Sequence, residues 1–332
     1  MSFFAVLLAL VIEQLRPLPQ GTPLHEALVN WARWTARNFD AGREHHAWVV
    51  WCVAVLVPTT LVGLVYGAFF HFSLLLALAF DLCVLYACLG FRQFSHFYTD
   101  IRDALDRGRE DEAREALRQW RHLDASELPR EELLRHVIEH ALLAAHRHVF
   151  GVFFWFVLGS ALGLGPVGAV LYRMAEFSAR HWGKQNPALA APTHEGLALR
   201  AQRAFDLIDH VPARLTAAGF AVVGNFEESV DCWRQHASLW PQGNDGILLA
   251  AAAGATGIAL GGQPAPDVGP PSAFEGSRYE PGASALPGES TASTPGVAPQ
   301  LGHLRSVVGL VWRSVVLWML LLALLSLANL LG

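Results

Sequence analysis

The chain has 332 residues, of which 53% are hydrophobic and 16% are charged, whereas an average soluble domain is about a quarter charged. This shortage of charge argues against a wholly water-soluble protein and favours insertion into a membrane. The formal net charge of -5 provides no strongly basic surface, so we expect no nucleic-acid partner.

The first part of the chain, residues 1–92, predicts an N-terminal anchor followed by a membrane hairpin. Ser2 to Ile12 is apolar but too short to cross a bilayer, so we expect a short helix there. Two longer apolar runs follow, Trp48 to Phe70 and Phe72 to Phe91, and each has the length of a transmembrane helix. Asp81 lies inside the second run, where an acid is a functional candidate.

A charged, amphipathic stretch occupies residues 93–148 and predicts a soluble helical insertion. Pro129 followed by Glu131 marks the start of its last helix, because acids suit the positive end of a helix and proline fits its first turn. We expect this helix to be amphipathic and not to span the bilayer. Residues 149–173 then predict a transmembrane span, with an apolar run from Phe150 to Leu171.

Residues 174–262 form a mixed region that we expect to carry the candidate site. The pattern from His194 to Arg214 predicts an amphipathic helix that ends near Pro212. Shorter apolar runs follow at Leu215–Val223 and Ile247–Leu260, and their length fits either core helices or re-entrant segments.

Two segments of contrasting composition end the chain. Residues 263–300 are rich in Pro, Gly, Ser and Ala, with few large apolar side chains, and they predict a flexible loop. Residues 301–332 predict a C-terminal transmembrane span, whose apolar run extends from Val307 to Leu331. The predicted fold is therefore an all-α, polytopic integral membrane protein with four spans and with amphipathic or soluble helical insertions.

Two motifs match enzyme signatures, but their context favours structural roles. Gly163–Gly168 satisfies GxGxxG, yet no soluble strand precedes it, so close helix packing or a kink is the better interpretation. His136–His140 satisfies HxxEH, which places two imidazoles on one face of a helix. A zinc site needs a third ligand, and none stands out in the sequence, so we expect a solvated or headgroup-facing histidine face.

Several short motifs occur along the chain in a fixed order. They are Ile12-Glu13, Val137-Ile138-Glu139, Phe153-Phe154-Trp155, Gly168-Ala169 leading to Tyr172-Arg173, Asp206 before Pro212-Ala213-Arg214-Leu215, Asn244 before Ala253-Gly254-Ala255 and Gly257-Ile258-Ala259-Leu260-Gly261-Gly262, and finally Tyr279 and Gly282. In kind and order these motifs resemble the CobD/CbiB family, the membrane proteins that make adenosylcobinamide phosphate during cobalamin biosynthesis, together with their AmpE-like relatives.

The resemblance implies a role in cobalamin biosynthesis, as an adenosylcobinamide-phosphate synthase that joins aminopropanol phosphate to adenosylcobyric acid. This reaction is an ATP-dependent amide formation, so the resemblance also implies ATP, Mg and a corrinoid substrate. It further implies a multi-pass protein of the inner (plasma) membrane, in contact with the lipid bilayer and with other membrane proteins of the corrin pathway.

The same resemblance assigns roles to individual residues. It implies that Glu139 and Asp206 are catalytic and that both are able to bind Mg, since magnesium prefers hard oxygen ligands. Substrate binding is implied for Tyr172, Arg173, Arg214 and Asn244. The two arginines suit a phosphate or a corrin carboxylate, because a guanidinium binds such groups through paired hydrogen bonds.

The chain also departs from the synthases, and these departures leave an alternative open. Where the synthases carry a second Glu, an Asn and an Asp, this chain has Leu143, Ala144 and Arg147, and Met174–Ala179 replaces their Asn-Thr-Leu-Asp-Ser-Met motif. A non-catalytic, AmpE-like signalling or modulator protein of the inner membrane is the alternative. The sequence leaves open whether Glu176 or Asp209 replaces a missing ligand.

Overall fold

A computed structural model describes residues 2–15, 23–39, 44–89, 91–121, 128–183, 194–241, 243–261 and 293–331. The helices are α1 (Ser2–Leu15), α2 (Pro23–Phe39), α3 (Glu44–Phe72), α4 (Leu74–Cys88), α5 (Phe91–Asp106), α6 (Glu110–Arg121), α7 (Arg130–Ala145), α8 (Gly151–Ala161), α9 (Val167–Gly183), α10 (His194–Val223), α11 (Phe226–His236), α12 (Gly243–Thr256) and α13 (Leu301–Leu331). A π-helical turn, His146–Phe150, joins α7 to α8. A 3-10 helix, Ala237–Leu239, follows α11. The described residues contain no strand beyond isolated β-bridges, so the all-α prediction is confirmed.

Three helices in the described ranges are long and apolar enough to cross a membrane, namely His46–Phe72, Arg130–Ala161 and Leu301–Ala328. They confirm the prediction of a membrane protein with several apolar helices. The second predicted span is shorter than expected, because Ser73 has extended backbone and α4 contains only 15 residues. A transmembrane helix needs about 20, so three of the described helices are both long and apolar enough, where the sequence predicted four spans.

The predicted span from Phe150 to Leu171 is wrong as a single helix. Instead α7, the π-helical turn and α8 form one continuous helical stretch, so the helix predicted to lie outside the bilayer is part of a candidate span. The chain then turns between α8 and α9, where Gly163 and Gly165 have φ values of 75° and 58°. Only glycine adopts this left-handed conformation without strain, and the turn therefore ends the helix inside the apolar run.

Helix α10 also differs from the prediction, because it continues through Pro212 to Val223. The missing N–H of a proline normally ends or kinks a helix. Here buried apolar side chains continue on both sides of the proline, including Phe205 and Phe220. We attribute the continuation to this packing, which outweighs one lost backbone hydrogen bond.

The predicted flexible loop, residues 263–300, lies mostly outside the described residues, but its end is described from residue 293. There the Thr294 amide donates to the Leu260 carbonyl, and the Val297 amide donates to the Gly257 carbonyl, at 2.8 Å and 2.9 Å. The last part of the predicted loop is therefore held against the chain that follows α12.

The described residues form two compact units. Unit 1 comprises Met1–Ser95, Leu143–Gly219 and Arg313–Gly332, and unit 2 comprises His96–Leu142 and Phe220–Trp312. In unit 1, α9 packs against α3, α4 and α8, and in unit 2, α11 packs against α12.

Two glycines of the GxGxxG motif lie at close contacts, Gly168 where α9 meets α8 and Gly165 against Tyr66 of α3. A Cβ on Gly168 would lie 2.0 Å from the Trp155 carbonyl oxygen, and a Cβ on Gly165 would lie 2.4 Å from the Tyr66 ring. Real side chains do not fit such distances, so these positions need glycine for close helix approach. The structural interpretation of this motif is confirmed.

Candidate functional site

The interior of unit 1 contains a hydrogen-bonded group of side chains centred on Asp209. The Tyr172 hydroxyl donates to Asp209 Oδ1 over 2.8 Å, and His146 Nε2 lies 2.8 Å from the same oxygen. On the other side of the imidazole, His146 Nδ1 lies 3.0 Å from Thr216 Oγ1. All four side chains are buried. We call these four residues the Asp209 network, and they link the π-helical turn, α9 and α10.

Local features of the sequence make room for the Asp209 network. Asp209 and Thr216 are seven residues apart, so they lie on one face of α10. Gly151 leaves space for the phenol, because a Cβ there would lie 2.2 Å from Tyr172 Cζ. Burial and then the charge of Asp209 raise the pKa of Tyr172 well above its usual value, so its hydroxyl remains a donor.

A second charged group lies on the following turns of α9. Arg173 Nη1 lies 3.1 Å from one Glu176 carboxylate oxygen, and Arg180 Nε lies 3.1 Å from the other. We call these three residues the arginine clamp. Their spacing of three and four places them on one face of the helix. The Glu176 side chain is only 3% exposed, whereas those of Arg173 and Arg180 are 20% and 42% exposed.

Glu176 is ionised in this setting. Burial acts to raise the pKa of its carboxyl, but the charges of Arg180 and Arg173, followed by those of His148 and Arg147, outweigh burial and lower the pKa to about 2. The carboxylate therefore carries its charge at neutral pH and keeps both clamp arginines in place.

The remaining predicted residues of unit 1 lie on α10, outside the Asp209 network. Asp206 Oδ1 accepts a hydrogen bond of 2.8 Å from Gln202 Nε2, one turn earlier. Arg214 Nη1 donates to the carbonyl of His210 over 2.8 Å. Their catalytic and substrate-binding roles stay predictions, as does the role of Tyr172, which lies in the interior of unit 1.

Glu139 and Asn244 belong to unit 2. Glu139 Oε1 accepts a hydrogen bond of 2.9 Å from the Gly261 amide, and His136 Nδ1 lies 4.0 Å from Glu139 Oε2. This hydrogen bond therefore holds Gly261, in the motif at residues 257–262, against Glu139. Asn244 is buried in the first turn of α12, beside Asp245. The predicted site residues thus divide between the units, four in unit 1 and two in unit 2.

The HxxEH motif forms neither a solvated histidine face nor a cluster of metal ligands among the described residues. His136 is buried, so it is not on a solvated face, and the His140 ring packs edge-on against Trp120 at 4.5 Å. Within the ranges that the structure describes, no three His, Cys, Asp or Glu side chains cluster as metal ligands. Magnesium binding by Glu139 and Asp206 stays a prediction.

Sequence reasoning did not select most of the charged groups that the structure brings together. His146 and Arg180 received no role, and Glu176 and Asp209 were left open as replacements for a missing ligand. The available signal was the spacing of Asp209 and Thr216 on α10, which is visible in the sequence. The histidine that completes the network comes from 63 positions earlier in the chain, and no local pattern reveals that pairing.

Comparisons with known proteins identify relatives of the whole chain. A family described as CobD/Cbib protein matches residues 2–267. A protein of Stutzerimonas stutzeri (strain A1501) named "Cobalamin biosynthesis protein CobD" is 31% identical over 332 residues, which covers 96% of each chain. A Chromobacterium violaceum (strain ATCC 12472) protein of the same name is 35% identical over 188 residues, 57% of each chain. No solved structure matches the chain.

These relatives give no support to the AmpE-like alternative. The family match extends through most of the helices described above, including α7 to α12, and the relative from S. stutzeri extends the similarity to nearly the full length. The chain belongs to the CobD/CbiB protein family.

Proposed function

We propose that this protein acts in cobalamin biosynthesis as an adenosylcobinamide-phosphate synthase in the inner membrane, with several membrane passes. The observation that carries the proposal is the similarity to a protein named for cobalamin biosynthesis across 96% of both chains. In the proposed reaction, ATP transfers a phosphoryl group to a carboxylate oxygen of adenosylcobyric acid and leaves as ADP. The amine of aminopropanol phosphate then attacks the carboxyl carbon, the bond to the phosphorylated oxygen breaks, and inorganic phosphate leaves as the amide forms.

The chemistry of these substrates requires two kinds of protein group. The amine must lose a proton to become a nucleophile, and a carboxylate within hydrogen-bond distance is able to accept it. We assign this role to Glu139 or Asp206. The phosphate and the corrin carboxylates are anions, and Arg173 and Arg214 are the predicted cations that bind them.

Magnesium is usually bound by one or two protein carboxylates together with substrate phosphates. Glu139 already accepts a backbone hydrogen bond, and Asp206 accepts one from Gln202. Their binding of magnesium stays a prediction, and the proposed steps use the chain's own side chains to bind the two organic substrates and to move the amine proton.

Growth of a synthase-deficient bacterial strain on cobyric acid tests the proposal. The wild-type chain should restore growth. If Glu139 or Asp206 transfers the proton, Glu139→Gln or Asp206→Asn should reduce the rate of amide formation by roughly 100-fold or more. Asp231→Asn is the matched control, because Asp231 is exposed on α11 and has no predicted role.

The in vitro assay uses the purified chain in detergent with adenosylcobyric acid, aminopropanol phosphate and magnesium ATP, and detects the amide product by mass spectrometry. Absence of product, together with failure to complement despite normal membrane expression, would refute the synthase proposal. Unchanged activity in both carboxylate variants would refute their assigned roles.

A further inference from the structure

We propose that the arginine clamp of α9 is a binding site for the phosphate group of a phosphate monoester. The existence of an anion site rests on the geometry of Arg173, Glu176 and Arg180, whereas its assignment to aminopropanol phosphate rests on the proposed function. The resemblance assigned a binding role to Arg173 alone, and the structure adds Arg180 and the carboxylate between them.

The clamp holds two guanidinium groups in place while leaving most of their donors unused. A guanidinium has five N–H donors. Arg173 uses one of them on Glu176, and Arg180 likewise contacts Glu176 through its Nε. No other acceptor in the described part of the chain bonds to either arginine. Each side chain therefore has donors left for a ligand, while its position is already fixed.

The accessible side of the arginine clamp is formed by its two arginines. The Glu176 carboxylate is nearly fully buried, whereas both arginines retain accessible surface, and Arg180 retains the most. An incoming anion therefore meets the guanidinium groups, and the carboxylate remains beneath them. The arrangement resembles a preorganised binding site in which a buried acid orients two exposed cations.

The charges of the clamp favour an anionic ligand. Two arginines surround one carboxylate, which leaves one positive charge in excess, and Arg147 contributes a further cation that acts on Glu176. Positive charge that is partly removed from water is stabilised by a counter-charge. A phosphate monoester carries about 1.5 to 2 negative charges and three acceptor oxygens at neutral pH. It therefore matches the charge and the unused donors of two guanidiniums that share one carboxylate.

The position of the clamp in the sequence supports a role in this chain specifically. Met174–Ala179 is the segment where the chain departs from the synthase motif, and Arg180 follows it directly. Arg173 and Arg180 flank this segment on the same helix, so the pair is placed to supply phosphate contacts here.

Equilibrium binding by the purified full-length chain in detergent micelles tests the clamp without requiring turnover. Titration calorimetry with aminopropanol phosphate should show binding, and aminopropanol without the phosphate should bind at least ten-fold more weakly. Arg180→Gln and Arg173→Gln should each weaken phosphate-ester binding by roughly 10- to 100-fold. Arg180→Lys, which keeps the charge but loses the planar fork, should give an intermediate loss.

Arg234→Gln is the matched control, because Arg234 is exposed in the last turn of α11 in unit 2. This variant should bind aminopropanol phosphate as tightly as wild type does.

A parallel titration with phosphatidylglycerol separates a soluble ligand from a lipid headgroup. Arginine-dependent binding of the lipid alone would overturn the assignment to a phosphate monoester. Equal binding of aminopropanol phosphate by wild type and both glutamine variants would overturn the clamp. Arginine-dependent binding, combined with absence of amide product in the complete assay mixture and failure to complement, would refute the synthase proposal and leave the clamp intact.

Discussion

Replacement of Asp209 by alanine tests whether the Asp209 network stabilises unit 1. In the native protein, Asp209 Oδ1 accepts a hydrogen bond from the Tyr172 hydroxyl and contacts His146 Nε2, each at 2.8 Å. The aspartate and the histidine side chains are 2% and 1% exposed. Truncation therefore removes the shared acceptor from two polar groups that water does not reach.

The expected loss follows from these contacts. Each buried polar group left without its hydrogen-bond partner costs about 1–3 kcal/mol. Because the Tyr172 hydroxyl and His146 Nε2 both lose the same Asp209 oxygen, we expect Asp209→Ala to lower the free energy of unfolding by about 2–6 kcal/mol. Asp209→Asn keeps an acceptor oxygen at the same position, so its expected loss is about half as large.

The assay is reversible unfolding of the purified chain in mixed micelles by titration with sodium dodecyl sulfate, followed by far-ultraviolet circular dichroism. The control is Asp231→Ala, because Asp231 is exposed on α11 and surface substitutions usually change stability by less than about 0.5 kcal/mol. A loss below about 1 kcal/mol for Asp209→Ala would refute the reasoning. An additive double variant with Tyr172→Phe would refute the shared-acceptor geometry, since groups in one network couple.

The same unfolding assay checks three further predictions. Gly168→Ala should lower stability by about 1–3 kcal/mol because its Cβ would lie 2.0 Å from a carbonyl oxygen of α8. Gly67→Ala, which has nothing within 4 Å, should be neutral or stabilising by up to about 1 kcal/mol, and equal losses would contradict the packing argument. The pKa of Glu176 in the folded protein, about 2, is below its usual value of 4.5, so the stabilisation by its charge is present above pH 4.5 and is lost as the pH falls toward 2. The difference in unfolding free energy between wild type and Glu176→Gln should therefore shrink over that range. A difference that stays constant with pH would contradict this assignment. Tyr98→Phe removes a hydroxyl that donates to the Leu304 carbonyl over 2.6 Å and should cost about 1 kcal/mol, whereas no loss would show that this hydrogen bond does not stabilise unit 2.

Several helices were predictable because their sequence signals act locally. The apolar runs in α3 and α13 are long, with Arg313 as the only charged residue in the run of α13, and both helices appear where expected. The errors arose where tertiary packing and backbone geometry compete with the apolar pattern. Pro212 did not end α10, and the turn at Gly163 and Gly165 divided a run that composition alone predicted as one span.

The candidate site was less predictable than the fold. Arg173 was selected by resemblance, and the structure places it in a charged cluster, but its partner Arg180 lies directly after the segment where the resemblance fails. The Asp209 network depends on contacts between residues as far apart as 70 positions, such as His146 with Thr216. Helical periodicity shows which residues share a face of one helix and gives no information on which face of another helix they meet.

The bridge between Gly261 and Ser293 has a consequence for how chain length can vary. Because Gly261 and Ser293 are paired, the described chain on either side of residues 262–292 is fixed at neighbouring positions. Joining two fixed positions with a longer chain costs only about 0.6 kcal/mol more for each doubling of its length. Insertions and deletions between the paired residues should therefore change stability little, and a reporter domain inserted there should leave Glu139 bound to the Gly261 amide.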